Sequence, residues 1–178
     1  MRRAVLYQLL SLDGVAEEPG DWMFDADEAI IENLARVIDG QDTILLGRGT
    51  FDYWVGYWPH EGPEPFHSFI NSTPKHVITS TPLDAQWANT VPVNGSAADH
   101  VRALKEQEGG DIGIHGSIEL ARSLNEAGLI DDFRLVVAAT VAGRGKRLFE
   151  GESRLRRLDL VDSRRTGGGS LLLHYRSD

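Results

Sequence analysis

A chain of 178 residues that is 41% hydrophobic and 25% charged has material for one ordinary globular domain with a real core. Its formal charge of -9 argues against general affinity for nucleic acid or acidic membranes, and the absence of cysteine excludes disulfides, thiolate catalysis and cysteine-ligated zinc. The apolar run after Arg2-Arg3 is too short for a signal peptide and is broken by Asp13-Gly14, and no run is long enough to cross a bilayer, so the expectation is a soluble cytoplasmic protein whose residues 1–178 form one domain.

Ala4 to Leu12 reads as a buried strand stopped by a turn at Asp13-Gly14, and Glu17 to Gly20 as a polar loop. A helix begins at Asp25, with Ala29, Ile30, Leu34, Val37 and Ile38 on one face, and ends at Gly40. Thr43 to Leu46 is a second strand running straight into Gly47-Arg48-Gly49-Thr50-Phe51. An aromatic loop (Trp54, Tyr57, Trp58, Pro59) leads to a short helix near Pro65 to Ile70. His76 to Thr79 and Thr90 to Val93 are strands, and Ala97 to Glu108 is helical. A strand at Ile112 to His115 turns directly into a helix over Ser117 to Ala127. Phe133 to Val141 is β-rich, and Leu158 to Arg165 and Leu171 to Tyr175 form a terminal hairpin about Gly167-Gly168-Gly169. Strands alternating with helices imply an α/β fold: a mainly parallel sheet with helices on both faces and a C-terminal antiparallel hairpin.

The turn at His115-Gly116-Ser117 is the most informative segment. Gly116 lets the backbone approach a ligand closely, and the following helix start carries unpaired N–H groups and partial positive charge suited to a pyrophosphate. A turn with an N-cap serine is the structural alternative. In open α/β sheets ligands bind beyond the carboxyl ends of the strands. Three such ends here carry Gly47-Arg48-Gly49-Thr50, Thr79-Ser80-Thr81 and Gly116-Ser117. An arginine, several hydroxyls and a helix start are what several phosphates require. The basic stretch Arg144, Lys146, Arg147, Arg154, Arg156, Arg157, Arg164 and Arg165 reads mostly as solvated surface.

Six segments occur in order: Ser11-Leu12-Asp13-Gly14; Leu46 to Phe51; Pro74 to Thr81; His115-Gly116-Ser117; Gly128-Leu129-Ile130-Asp131-Asp132; and Gly143 to Phe149. Over nearly its whole length the chain resembles the dihydrofolate reductase-like superfamily, closest to the reductase domain of riboflavin-biosynthesis enzymes and their stand-alone bacterial relatives. The resemblance implies an NADPH site, with Gly47, Arg48 and Thr50 at cofactor phosphates, Thr79, Ser80 and Thr81 near the adenosine end, and Gly116, Ser117 and Ile118 at the pyrophosphate. It places Ser11, Asp13 and Trp22 on the substrate side. The family's zinc deaminase is not expected, since its cysteine signature is missing.

The implied activity is NADPH-dependent reduction of a small heterocycle, of pteridine or ribosylaminopyrimidine type, by a homodimer. A true dihydrofolate reductase and a non-catalytic nucleotide-binding protein are the alternatives. Hydride transfer often needs a nearby proton donor, for which Asp13, Asp25 and Asp27 are candidates. Capping or turn formation is the competing role for each. His115 reads as a core or rim histidine, and the aromatics Phe51 to Trp58 as a pocket wall, an interface or simple packing. The strands at 133–141 and 171–175 offer apolar surface for the dimer.

Overall fold

In the computed structural model of the chain, residues 1–24, 26–151 and 155–177 are described. The strands are β1 (Ala4–Leu10), β2 (Gln41–Gly47), β3 (Lys75–Ile78), β4 (Thr90–Val93), β5 (Asp111–His115), β6 (Asp132–Val137), β7 (Leu158–Arg165) and β8 (Leu171–Ser177). The helices are α1 (Glu28–Ile38), α2 (Arg48–Trp54), α3 (Phe66–Ser72), α4 (Ala97–Lys105) and α5 (Ile118–Glu126). The strands form one sheet in the order β4-β3-β2-β5-β1-β6-β8-β7. The pairs from β4 through β6 are parallel, whereas β8 runs antiparallel to β6 and β7.

The alternation of each strand divides its side chains between two helix layers. Ala4, Leu6, Leu45, Ile112, Ile114 and Phe133 pack with Val101, Leu104, Leu120 and Leu124 of α4 and α5. On the opposite face Val5, Tyr7, Val136 and Leu172 meet Ile30 and Val37 of α1. Ile44, Leu46 and Val77 continue that face under Phe51, Phe66 and Ile70 of α2 and α3. Burial on both faces explains the near-continuous apolar runs of β1 and β2. Phe133, wholly buried, would cost about 3–5 kcal/mol if truncated to alanine.

Three expectations need correction. The aromatic loop expected around Trp54 is helical at its start, because α2 runs from Arg48 to Trp54 and buries Phe51. The strands proposed as dimer surface are internal: β6 lies between β1 and β8, and β8 between β6 and β7. The exposed edge is β7 instead. The helix expected from Asp25 begins at Glu28 with Asp27 as its N-cap, and Asp25 lies outside the described residues. Among the described residues, no helix is long and apolar enough to cross a membrane.

Candidate active site

Strands β3, β2 and β5 are parallel neighbours, so their carboxyl ends emerge side by side. Side chains then join them into one rim. Ser117 Oγ accepts a hydrogen bond from the Gly47 amide at 3.0 Å, tying the start of α5 to that of α2. Thr50 Oγ1 donates to the Gly116 carbonyl at 3.4 Å. Arg48 crosses to the segment after β3, donating through Nη1 to Thr81 Oγ1 at 2.7 Å, the Pro82 carbonyl at 2.8 Å and Thr79 Oγ1 at 3.3 Å. Its Nε rests on both Asp52 oxygens at 2.8 Å, and its Nη2 on Asp84 Oδ2 at 3.0 Å. Thr79 is buried with its hydroxyl turned onto the Thr81 carbonyl at 2.8 Å, whereas Ser80 and Thr81 are exposed.

Gly116 has φ +65°, and a Cβ there would lie 2.3 Å from Trp54 Cζ2. The glycine is thus required by its own backbone and by the indole, whatever ligand approaches. A valine at this position would disrupt the fold and would not report on phosphate contact. His115 is a core residue: buried, with Nε2 2.8 Å from Gln41 Oε1 and rings of Tyr7, Phe66 and Phe69 around it. Burial pushes its pKa down to about 3, so it is neutral at physiological pH. The aromatic run is mainly packing too, with Trp54, Trp58 and Phe66 edge-to-face; Tyr53 and Tyr57 remain exposed.

On the side of β1, Ser11 is buried, donating to Asp13 Oδ1 at 2.7 Å and accepting from the Val15 amide at 2.9 Å. The Asp13 carboxylate accepts from the Ala142 and Gly143 amides, both at 2.9 Å, and lies 3.4 Å from Arg147 Nη2. The Ser11 hydroxyl first, then these amides, hold its carboxyl far below the usual carboxylate range. Asp27 Oδ1 accepts from Ile30 N at 3.2 Å and Oδ2 from Gly168 N at 2.8 Å, joining α1 to the β7–β8 turn. Those bonds, led by that from Gly168, lower its pKa. Trp22 is buried, its Nε1 donating to the Glu17 carbonyl at 2.8 Å. Tyr53 Oη of α2 donates to Glu18 Oε2 at 3.2 Å. Of the basic stretch, Arg144 and Lys146 are exposed, Arg147 is engaged on Asp13, and Arg154 lies outside the described residues.

Of the three candidate proton donors, Asp13 and Asp27 are therefore hydrogen-bond acceptors held in the ionised form. The fold brings together the residues expected on the cofactor side, Gly47, Arg48, Thr50, Thr79, Ser80, Thr81, Gly116, Ser117 and Ile118. Their chemistry fits a dinucleotide. Helix α5, nine residues long, starts without a side-chain cap because Ser117 is turned to Gly47, leaving first-turn amides for an anion. Over Gly49, an added Cβ would meet nothing within 4 Å. The sequence did not single out Asp52 or Asp84, and it offered Trp54 only as one of the aromatic run. Asp52 stands at i+4 from Arg48 and was within reach had α2 been read as a helix. Nothing local marks Asp84 or the indole over Gly116.

The architecture is a dihydrofolate reductase-like α/β fold. Residues 5–172 match the RibD C-terminal domain family, and the chain belongs to it. An uncharacterised Bacillus subtilis (strain 168) protein, YyaP, is 31% identical over 184 residues, covering 98% of this chain and 94% of its own. Among solved structures, a Thermotoga maritima diaminohydroxyphosphoribosylaminopyrimidine deaminase/5-amino-6-(5-phosphoribosylamino)uracil reductase superposes with a TM-score of 0.71 at 15% identity. That match covers 99% of this chain and 57% of the other. Enterococcus faecalis dihydrofolate reductase, complexed with NADP(H), gives 0.66 at 16% identity, covering 99% and 96%.

Proposed function

We propose that the chain, as one domain of residues 1–178, is an NADPH-dependent reductase of a small heterocycle of pteridine or ribosylaminopyrimidine type. The observation that carries this reading is the hydrogen-bonded junction of three strand ends, where Ser117 meets Gly47 and Arg48 meets Thr79 and Thr81. Bound nicotinamide supplies a hydride to the substrate. Arg48, with Thr79, Ser80 and Thr81, receives the phosphate-bearing adenosine end. Gly47 and Thr50 frame the neighbouring strand end, and the amides from Gly116 to Ile118 would hold the pyrophosphate.

Ser11, Asp13 and Trp22 shape the substrate side by fixing the loop after β1. Asp13 and Asp27 act here as positioning residues, since each carboxylate is committed to backbone amides. The hydrogen bonds of Asp13 and Asp27 therefore assign neither of them as donor of the proton that accompanies the hydride. The membership in a reductase-domain family and the likeness to an NADP(H)-bound fold support the reading. Loss of NADPH absorbance should follow mixing with at least one member of a panel of pterins and aminopyrimidines. A protein that binds the cofactor yet turns over none of the panel would be a nucleotide-binding protein without this chemistry.

A further inference from the structure

Arg48 is already surrounded by oxygen. Asp52, one helical turn along α2, holds Nε through both carboxylate oxygens and so orients the guanidinium. Nη1 is occupied by Thr79, Thr81 and Pro82. Nη2 differs: among the described residues its partner is Asp84 alone, 36 positions away on the segment that follows β3. The Arg48 side chain is 24% exposed, Asp84 90%. This edge of the guanidinium faces outward, and the group seated on it is a carboxylate on a nearly free side chain.

We propose that Asp84 is a specificity-determining residue that competes with the 2′-phosphate of NADPH for Arg48 and so limits the preference for NADPH over NADH. The inference rests on the cofactor reading above. An arginine near the adenosine ribose accommodates a 2′-phosphate, whereas an acid at that place favours a free 2′-hydroxyl. Here both stand together, 3.0 Å apart. The two carboxylates outweigh the single guanidinium charge, so an arriving phosphate meets a site already neutralised and must displace Asp84. An exposed ion pair is weak enough to be displaced. NADH carries no charge at this position and leaves the pair intact. Asp52 has the opposite part, because its two oxygens, sharing the Nε–H, hold the Arg48 side chain in place.

Dissociation constants of NADPH, NADH, 2′,5′-ADP and ADP should be measured by fluorescence titration for the wild type and Asp84→Asn. The two 2′-phosphorylated ligands should bind the variant about fivefold more tightly, the worth of an exposed ion pair, while NADH and ADP change less than about twofold. Added salt should shrink the difference. Equal tightening of all four ligands, or an unchanged or weakened NADPH affinity, would overturn the proposal while leaving the cofactor site in place. Binding of none of the four by either protein would remove the cofactor reading itself, and this inference with it. Because Asp84 is exposed, Asp84→Asn should melt at the wild-type temperature.

Discussion

Gly116 shows how one residue can carry a structural demand that resembles a ligand-binding one. Its positive φ and the Trp54 indole 2.3 Å from the missing Cβ both exclude a side chain. Gly116→Ala should therefore lower stability without any nucleotide present, by about 1–3 kcal/mol from the backbone alone, with the indole contact adding to it. Thermal unfolding of the apo protein measures this. An unchanged melting temperature with lost nucleotide binding would return Gly116 to a purely ligand-facing role. Asp13 makes a second case, since its pKa lies far below the unfolded value of about 3.9. A depressed carboxylate stabilises the fold fully above the unfolded pKa, and that contribution is lost as pH falls through the folded one. Asp27 shifts in the same direction. Wild-type stability should thus decline below about pH 4 more steeply than that of Asp13→Asn, which has no charge to lose. Parallel acid limbs in denaturant unfolding would show that the carboxylate contributes nothing to the stability of the native state. The turn at Asp13-Gly14 was legible in the sequence. Its bonds to Ala142 and Gly143 were not, because the partners lie 129 and 130 residues away.

At the scale of elements, the Ser117 hydroxyl is the strap between the starts of α2 and α5. Ser117 reads as an N-cap, yet its oxygen makes no cap bond within α5. Ser117→Ala should leave the Gly47 amide without its partner and cost about 1–3 kcal/mol. It should also weaken NADPH binding, because the two helix starts lose their common anchor. Urea unfolding and nucleotide titration on one sample separate the two effects, and an unmoved midpoint would mean that solvent satisfies Gly47. Strand and helix periodicities were readable through α5 because the core faces of β1, β2 and α1 are long apolar patterns. Helix α2 was not: its seven residues make just under two turns, and its Arg48-Gly49-Thr50 start imitates a phosphate loop. Its helical state is imposed by burying Phe51 against Trp87 and Ile70.

For the whole molecule, alternating strands and helices indicated a parallel sheet and hairpin, but not the strand order. That order depends on pairings such as β2 with β5, whose residues lie about seventy positions apart, and no local pattern encodes them. The resulting edge, β7, is exposed along most of its eight residues, with Leu160 and Val161 outward. Its acids, Asp159 and Asp162, precede its bases, Arg164 and Arg165, along the strand. An antiparallel second copy about a two-fold axis would set acid against base. The bulge between Leu160 and Asp162 and these charges disfavour indiscriminate strand addition. Light scattering should find a dimer, and Arg164→Glu should shift it towards monomer; a wild-type monomer across a broad concentration range would contradict this.

The central claim is that β3, β2 and β5 end in a nicotinamide dinucleotide site organised by Arg48, and direct titration of NADPH into the wild type and Arg48→Ala tests it. Saturable binding by the wild type should weaken in the variant about tenfold or more, the loss of a charge-assisted hydrogen bond, with NADH affected less. Undiminished NADPH binding by Arg48→Ala, or no binding by the folded wild type, would contradict the account.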